Sequence, residues 1–278
     1  MSDVKISLAD ITRLREFMGA GMMDCKKALE EAGGDFDAAV DVLRKKGIAK
    51  AAKREDREAK EGVVIATTIP NQTRGVIIAL NCETDFVARN EGFIAIANQI
   101  AKVAVDNYPD SLEALLALEF GPGLTIAAKV GEINGTIGEK IELSRFEKIT
   151  GAQVLPYNHS NNKLGVLLSI NKRENAFEEA ARSVAMQVAA MGPVSVSKDD
   201  VPSDIIAKEM EIGRELARNE GKPEAMLDKI AEGRLNKFFQ ENTLLSQKFV
   251  KDNSLTVDQY LKSLDKDLTV TGFIRIGL

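Results

Sequence analysis

Histidine and cysteine, two side chains that often act as nucleophiles, bases or metal ligands, are scarce in this sequence. The chain contains one histidine, His159, and two cysteines, Cys25 and Cys82. This count argues against a histidine-based catalytic triad and a multi-histidine metal site. Neither cysteine lies in a metal-spacing motif, so we expect both to be small buried residues. Because the plentiful carboxylates show no diagnostic pair, we expect a binding protein that is not an enzyme and has no metal or cofactor.

Glycine-rich stretches that cradle phosphate groups are incomplete. Around the Gly-Lys pair at 221–222, Leu216 occupies the position of the first glycine of a phosphate loop and Pro223 replaces the serine or threonine. The dinucleotide-like patterns that begin at 19–21 and 121–123 both lack their third glycine. We therefore expect no direct nucleotide binding by this chain.

One polar turn carries an aromatic residue that is suited to contact a partner. The predicted strand 75–81 is followed by a turn that includes Thr84 and Asp85, and Phe86 comes next. At such a strand-to-helix turn an aromatic side chain can protrude into solvent. In the alternative interpretation, Phe86 packs under the helix that starts near Phe93, and Thr84 or Asp85 is an ordinary helix cap.

The elements before this turn are helical. Residues 1–47 are predicted to form three short helices, because apolar residues recur at helical spacing and glycines separate the segments. Ser7 or Asp10 can cap the first helix and Asp35 the third, and Gly47 is predicted to end the third. A bundle of this size buries little area and is only marginally stable alone.

Residues 48–61 are predicted to be a basic linker. Across 44–60, lysines and arginines outnumber acidic residues, alanines fill the gaps and no apolar period is present. Such a stretch is typical of a solvated spacer or exposed helix. Two other interpretations are a basic patch that faces an acidic partner and an RNA-binding segment.

Strand-type alternation begins at Gly62, and one pattern then recurs. The strand segment Gly-Val-Ile-Ile-Ala-Leu-Asn at 75–81 resembles Gly-Val-Leu-Leu-Ser-Ile-Asn at 165–171. Each is followed by a polar turn and an alanine-rich helix, at 93–105 and 177–191 respectively. An internal duplication explains this recurrence.

The predicted fold class is α+β. The three-helix module and the linker precede two related α+β core subdomains, at 62–150 and 151–278. Residues 203–241 interrupt the second with two apolar-periodic helices separated by Gly221 and Pro223, which predicts an inserted antiparallel helical hairpin.

Composition narrows the class of partner. The 278 residues carry a net charge of −5, which argues against sequence-independent binding to DNA or RNA. Two cysteines cannot make a disulfide framework, so a reducing compartment is the simpler interpretation. No apolar run approaches the roughly 18 residues that span a bilayer. We expect a cytoplasmic protein without a membrane partner.

Three segments of the chain have the order and spacing of one known family. Residues 19–29 read Gly-Ala-Gly-Met-Met-Asp-Cys-Lys-Lys-Ala-Leu within a longer matching stretch that starts at Thr12. Residues 81–89 read Asn-Cys-Glu-Thr-Asp-Phe-Val-Ala-Arg, and residues 270–275 read Val-Thr-Gly-Phe-Ile-Arg. Taken together, these segments resemble the bacterial-type elongation factor Ts family. The resemblance covers nearly the whole chain, and the run at 19–29 is highly specific.

The resemblance implies both a fold and a function. The family has a ubiquitin-associated-like three-helix module at its N-terminus, two related α+β subdomains and a coiled-coil hairpin inserted in the second. Its members bind the GDP form of the translation GTPase elongation factor Tu. They dislodge Mg2+ and GDP so that GTP can enter during translation elongation.

The resemblance also implies contact residues. The segment Thr84, Asp85, Phe86 and Val87 matches the family's element for Mg2+ dislocation, in which the phenylalanine inserts between helices of the GTPase. The N-terminal module is expected to contribute Leu14, Arg15, Met22 and Met23, with core packing as the alternative for the methionines and a solvated charge as that for Arg15. His159 matches a histidine of the second subdomain, the part that faces another domain of the GTPase. The alternative for His159 is a hydrogen-bonded surface histidine.

Two further expectations follow from the same resemblance. Many family members continue into a C-terminal helical module that touches the GTPase, whereas this sequence stops soon after residues 273–276. We expect that contact to be missing. The alternative function is that of a ubiquitin-associated-like adaptor that binds partners through residues 1–47 without exchange activity.

Overall fold

The N-terminal part of the protein is a three-helix module. The computed structural model describes residues 6–18, 20–52 and 56–278, with the backbone alone for 48–52. The first three helices are α1 (Leu8–Met18), α2 (Met22–Glu31) and α3 (Phe36–Ala52). As predicted, the N-terminus of α1 is capped by Ser7 and Asp10, and that of α3 by Asp35, whose carboxylate accepts a hydrogen bond from the Ala38 amide at 2.8 Å.

The end of the third helix differs from the prediction. Helix α3 does not stop at Gly47 but continues to Ala52, so residues 48–52 of the predicted linker are helical. Gly47 lies inside α3, where this helix packs against a later helix. Because glycine has no side chain, it allows the two backbones to approach closely, and it does not end the helix. The predicted helix breaker Gly19 and the linker residues 53–55 lie outside the described residues.

Strands and helices make up the rest of the structure, after the three-helix module. The strands are β1 (Glu61–Thr68), β2 (Arg74–Cys82), β3 (Glu119–Gly121), β4 (Leu124–Thr125), β5 (Glu142–Thr150), β6 (Gln153–Asn158), β7 (Leu164–Ile170), β8 (Lys248–Phe249), β9 (Asp252–Thr256) and β10 (Val270–Gly277). The helices are α4 (Asp85–Ala88), α5 (Glu91–Asn107), α6 (Leu112–Ala117), α7 (Ile126–Ile137), α8 (Glu178–Met191), α9 (Ser203–Asn219), α10 (Leu227–Asn242) and α11 (Val257–Leu264).

Two three-stranded antiparallel sheets form the core, and they share one topology. The first has the order β1-β2-β5, and the second has the order β6-β7-β10. In each, a hairpin of two strands leads to a long helix, α5 or α8, and a later strand returns to pair with the second strand of the hairpin. This repeated order agrees with the duplication inferred from sequence.

The two sheets pack face to face, and helices cover their outer faces. Along β2, Val76, Ile78 and Leu80 face the helices, whereas Ile77 and Ala79 face the second sheet. This alternation follows from the two-residue period of a strand. Because both faces of β2 are buried, its residues 75–80 form a continuous apolar run.

The helical hairpin lies between α8 and β10, as predicted. Helices α9 and α10 run antiparallel, with ion pairs at Arg214–Asp228 (2.7 Å) and Arg234–Glu220 (2.6 Å) across the pair. Helix α11 and strand β10 follow the hairpin. The α+β fold class is confirmed.

Candidate functional site

The turn after β2 exposes one aromatic side chain on a short rigid helix. The four residues of α4 lie between the end of β2 and the start of α5, where the Asn90 side chain accepts hydrogen bonds from the amides of Gly92 and Phe93. The first core is the apolar cluster between the β1-β2-β5 sheet and helices α5, α6 and α7. Ala88 is buried in it and Val87 is half-buried against it, whereas the Phe86 side chain is 86% exposed. The anchored neighbours therefore hold Phe86 outward.

The alternative placement of Phe86 in the core is not what the structure has. Phe93 fills that position and is only 2% exposed, within the cluster under α5. Thr84 does occupy the N-cap position of α4, but its side chain makes no capping hydrogen bond to that helix. Asp85 lies in the first turn of α4 and pairs with Arg89 at 2.9 Å.

The Thr84 hydroxyl is instead bound by a distant carboxylate. Glu139, in the connection between α7 and β5, accepts the Thr84 hydroxyl at 2.6 Å through Oε1. Its Oε2 accepts the backbone amides of Thr84 at 3.0 Å and Glu83 at 3.1 Å. One carboxylate thus satisfies three donors at the start of the turn, and hydrogen bonds to a charged acceptor are the stronger kind.

A second carboxylate, that of Glu83 in the turn, accepts a hydrogen bond from the α7–β5 connection. The Glu83 side chain accepts the backbone amide of Lys140 at 2.5 Å, and Arg57 donates to the same carboxylate at 3.2 Å. The turn and the α7–β5 connection therefore hold each other through two glutamates. Glu139 was not predicted from the sequence, because its partners lie 55 and 56 positions away and no local motif connects them.

Below the turn, the Cys82 thiol is buried and donates to the Thr84 carbonyl oxygen at 3.1 Å. Burial, followed by the nearby negative charges of Glu139 and Glu61, raises the pKa of the Cys82 thiol to about 12. Cys25 is also buried, and its pKa is raised chiefly by burial and then by Asp24. Both thiols are inert core groups, as expected from the sequence.

The corresponding turn of the second repeat is built differently. There, a short helical turn at Asn175–Phe177 precedes α8, and Phe177 is 6% exposed within the second core. The turn before α5 in the first repeat therefore exposes an aromatic residue, whereas the aromatic residue in the turn before α8 is buried. Of the two related turns, only the one at Phe86 offers a large apolar contact.

The N-terminal module exposes both of its predicted methionines. Met22 is 43% exposed and Met23 is 63% exposed, at the start of α2, and Arg15 is exposed on α1. Leu14 corrects the expectation, because its side chain is fully buried among the three helices and offers no contact surface. Leu8 and Phe17 were not predicted as contact residues, but both are about two-thirds exposed.

His159 lies in the turn between β6 and β7. Its side chain is exposed, and its Nδ1 lies 2.9 Å from the Tyr157 hydroxyl. Its backbone amide donates to the Leu164 carbonyl oxygen at 2.9 Å, which closes the turn. The ring is therefore a surface group with one neighbour in reach.

The described part of the chain contains neither a metal-ligand cluster nor a membrane-spanning helix. Within residues 6–18, 20–52 and 56–278, no group of three or more histidine, cysteine or acidic side chains is arranged to hold a metal ion. Across the same residues, no helix combines the length and apolarity needed to cross a membrane.

Comparison with known proteins gives consistent results. A family model described as "Elongation factor TS" matches residues 83–278, which include the Phe86 turn. Elongation factor Ts of Flavobacterium psychrophilum is 50% identical over 273 residues, which cover 98% of each chain. The chain belongs to the elongation factor Ts family. Elongation factor Ts proteins of Christiangramia forsetii and Cytophaga hutchinsonii are 48% and 47% identical, each over 274 residues.

The similarity to elongation factor Ts includes the N-terminal module. The family model starts at residue 83, but the three relatives cover 98–99% of this chain and 98–99% of their own length. The three-helix module is therefore part of the common elongation factor Ts sequence. The resemblance carried by residues 19–29 and 81–89 is confirmed.

Proposed function

We propose that this chain is a guanine-nucleotide exchange factor for the translation GTPase elongation factor Tu. In this proposal it binds the GDP complex of that GTPase and promotes release of Mg2+ and GDP, so that GTP can bind. The activity takes place in the cytoplasm during elongation. The observation that carries the proposal is Phe86, a large aromatic side chain that is 86% exposed on a turn fixed from both sides.

An exposed phenylalanine on a rigid support is suited to act as a wedge. Transfer of such a side chain from water into an apolar site contributes about 1.5–3 kcal/mol. That free energy favours any GTPase conformation that opens a place for the ring. Mg2+ needs near-ideal octahedral geometry, so a small displacement of its ligands weakens its binding. The wedge therefore releases the metal and the nucleotide without touching either.

Thermodynamic linkage defines what such a factor does. If it binds the nucleotide-free GTPase more tightly than the GDP complex, GDP and the factor weaken each other's binding by the same ratio. The chain needs no catalytic group for this purpose. Its side chains only have to favour one conformation of the partner.

The remaining predicted residues have supporting roles in this proposal. Thr84 fixes the turn through Glu139, Asp85 is available to the partner beside Arg89, and Val87 anchors α4 to the core. Arg15, Met22 and Met23 provide a second contact on the N-terminal module, and His159 a third on the second repeat. Leu14 supports the module from inside.

The RNA-binding interpretation of the basic stretch has less support. Arg44, Lys46, Arg57 and Lys60 each have a carboxylate partner within the chain. Cations that are already paired contribute less to phosphate binding, because their release from those carboxylates opposes it.

Release of labelled GDP from elongation factor Tu, followed in stopped flow, tests the proposal. The chain should accelerate release in a concentration-dependent manner that saturates. If the chain binds the GTPase but leaves the release rate at its spontaneous value, the adaptor alternative replaces the exchange factor.

A further inference from the structure

Helix α7 connects the N-terminal module to the core through an ion pair whose carboxylate is buried. The Glu132 side chain is only 8% exposed, and its Oε1 accepts the Arg44 Nε of α3 at 2.7 Å. Its Oε2 accepts the Lys129 ammonium of α7 at 3.2 Å. One buried carboxylate thus connects the last helix of the module to a helix of the core.

The backbones of α3 and α7 approach closely beside this pair. A Cβ atom added to Gly135 would lie 2.7 Å from the Gly47 Cα, and one added to Gly47 would lie 3.0 Å from the Gly131 carbonyl oxygen. Real Cβ atoms do not tolerate the first distance and rarely the second. The two helices therefore cross at these glycines with their backbones close together, next to the Arg44–Glu132 pair.

The same helix leads to the Phe86 turn. Ile126, Val130 and Ile133 of α7 pack in the first core, so α7 cannot move independently of the sheet. The helix ends at Ile137, and Glu139, two residues later, binds Thr84 and Glu83. Glu132, which binds the module, and Glu139, which binds the turn, are therefore seven residues apart in the chain.

We propose that Glu132 is a positioning residue that fixes the N-terminal module, so that Phe86 and the methionines of α2 engage one GTPase together. This inference rests on the proposed function. When two contact surfaces are held at a fixed spacing, binding of the first places the second at a high effective concentration near its own site on the partner. This effective concentration is lost when the module moves freely. An ion pair with one buried partner is weak evidence of net stabilisation. It defines orientation here, because the Glu132 carboxylate joins Arg44 of α3 to Lys129 of α7, and loss of Arg44 leaves only the contact within α7.

A test on the free chain needs no GTPase. Hydrogen exchange of the α3 and α7 amides should be about tenfold faster or more in Glu132→Gln and in Arg44→Met. Arg44→Lys, which keeps a cation, should retain most of the protection. Glu241→Gln is the matched control, because it alters the exposed pair with Lys237 on the hairpin and should leave these amides unchanged. Unchanged exchange in Glu132→Gln and Arg44→Met would overturn the inference.

The kinetics of GDP release then distinguish a positioning role of Glu132 from a general loss of structure. In Glu132→Gln the concentration for half-maximal GDP release should rise about tenfold, with the maximum rate within about twofold of wild type. Met23→Ser should raise this concentration in the wild-type background but add little in the Glu132→Gln background, since the module is already uncoupled. Fully additive effects, or an unchanged half-maximal concentration, would overturn the positioning role.

The two proposals fail in different ways. If the wild-type chain does not accelerate GDP release at all, the proposed exchange function is wrong. The hydrogen-exchange comparison would then still decide whether Glu132 fixes the module to α7. If the wild-type chain is active and the Glu132 variants match it in both measurements, only the positioning inference is wrong.

Discussion

The carboxylate of Glu139 accepts the hydroxyl of Thr84 at 2.6 Å, although 55 positions separate the two residues in the chain. This contact replaces the capping hydrogen bond that a threonine at the start of a helix usually makes. It connects the segment that carries Phe86 to the end of α7. The exposed aromatic residue is therefore supported by a tertiary contact as well as by its own short helix.

The first prediction concerns this support. Glu139→Ala removes the acceptor of three hydrogen bonds and should lower the free energy of unfolding by about 1–3 kcal/mol, because three partly buried donors lose their partner. Thr84→Val should slow GDP release, whereas Thr84→Ser, which keeps the hydroxyl, should stay near the wild-type rate. Urea unfolding and stopped-flow release measure the two effects. Equal rates for the valine and serine variants would contradict the role of the hydroxyl.

The second prediction compares the two related turns. Phe86→Ala should change the free energy of unfolding by no more than about 0.5 kcal/mol, because the ring is mostly in solvent. Phe177→Ala removes a buried ring from the second core and should cost about 3–5 kcal/mol. Chemical denaturation of both variants under one set of conditions gives the comparison. A large loss in Phe86→Ala would mean that the ring packs inside the protein.

The third prediction concerns the thiols. Because burial raises the pKa of Cys82 to about 12, and burial also raises the pKa of Cys25, neither thiol is ionised in the folded protein near pH 8. Ellman's reagent should therefore react slowly with the native chain and rapidly with both thiols after denaturation. A fast reaction of one thiol in the native state would show that its site opens.

Sequence periodicity predicted much of the fold. The helical hairpin spans 203–242, against a predicted 203–241, because the apolar spacing of α9 and α10 and the turn residues between them are clear. The duplicated strands β2 and β7 were predicted from one repeated pattern. Each of these elements is specified by residues within it or next to it, so the local sequence is sufficient to predict it.

The features that sequence analysis missed are long-range contacts. Gly47 was predicted to end α3, but it is retained inside the helix because α7 crosses there. Leu14 was carried over as a contact residue, yet its side chain completes the core of the module. Glu132 and Glu139 are ordinary acidic residues in the sequence. Their roles depend on partners that only the folded chain brings near.

The most direct test of the central claim is the maximum rate of GDP release from elongation factor Tu at saturating concentrations of this chain and of Phe86→Ala. Loss of about 1.5–3 kcal/mol of ring transfer corresponds to about a 10- to 150-fold lower rate. Met226→Ala, at an exposed apolar position between α9 and α10, is the control and should keep the wild-type rate. A Phe86→Ala variant that folds and matches the wild-type maximum rate would contradict the account.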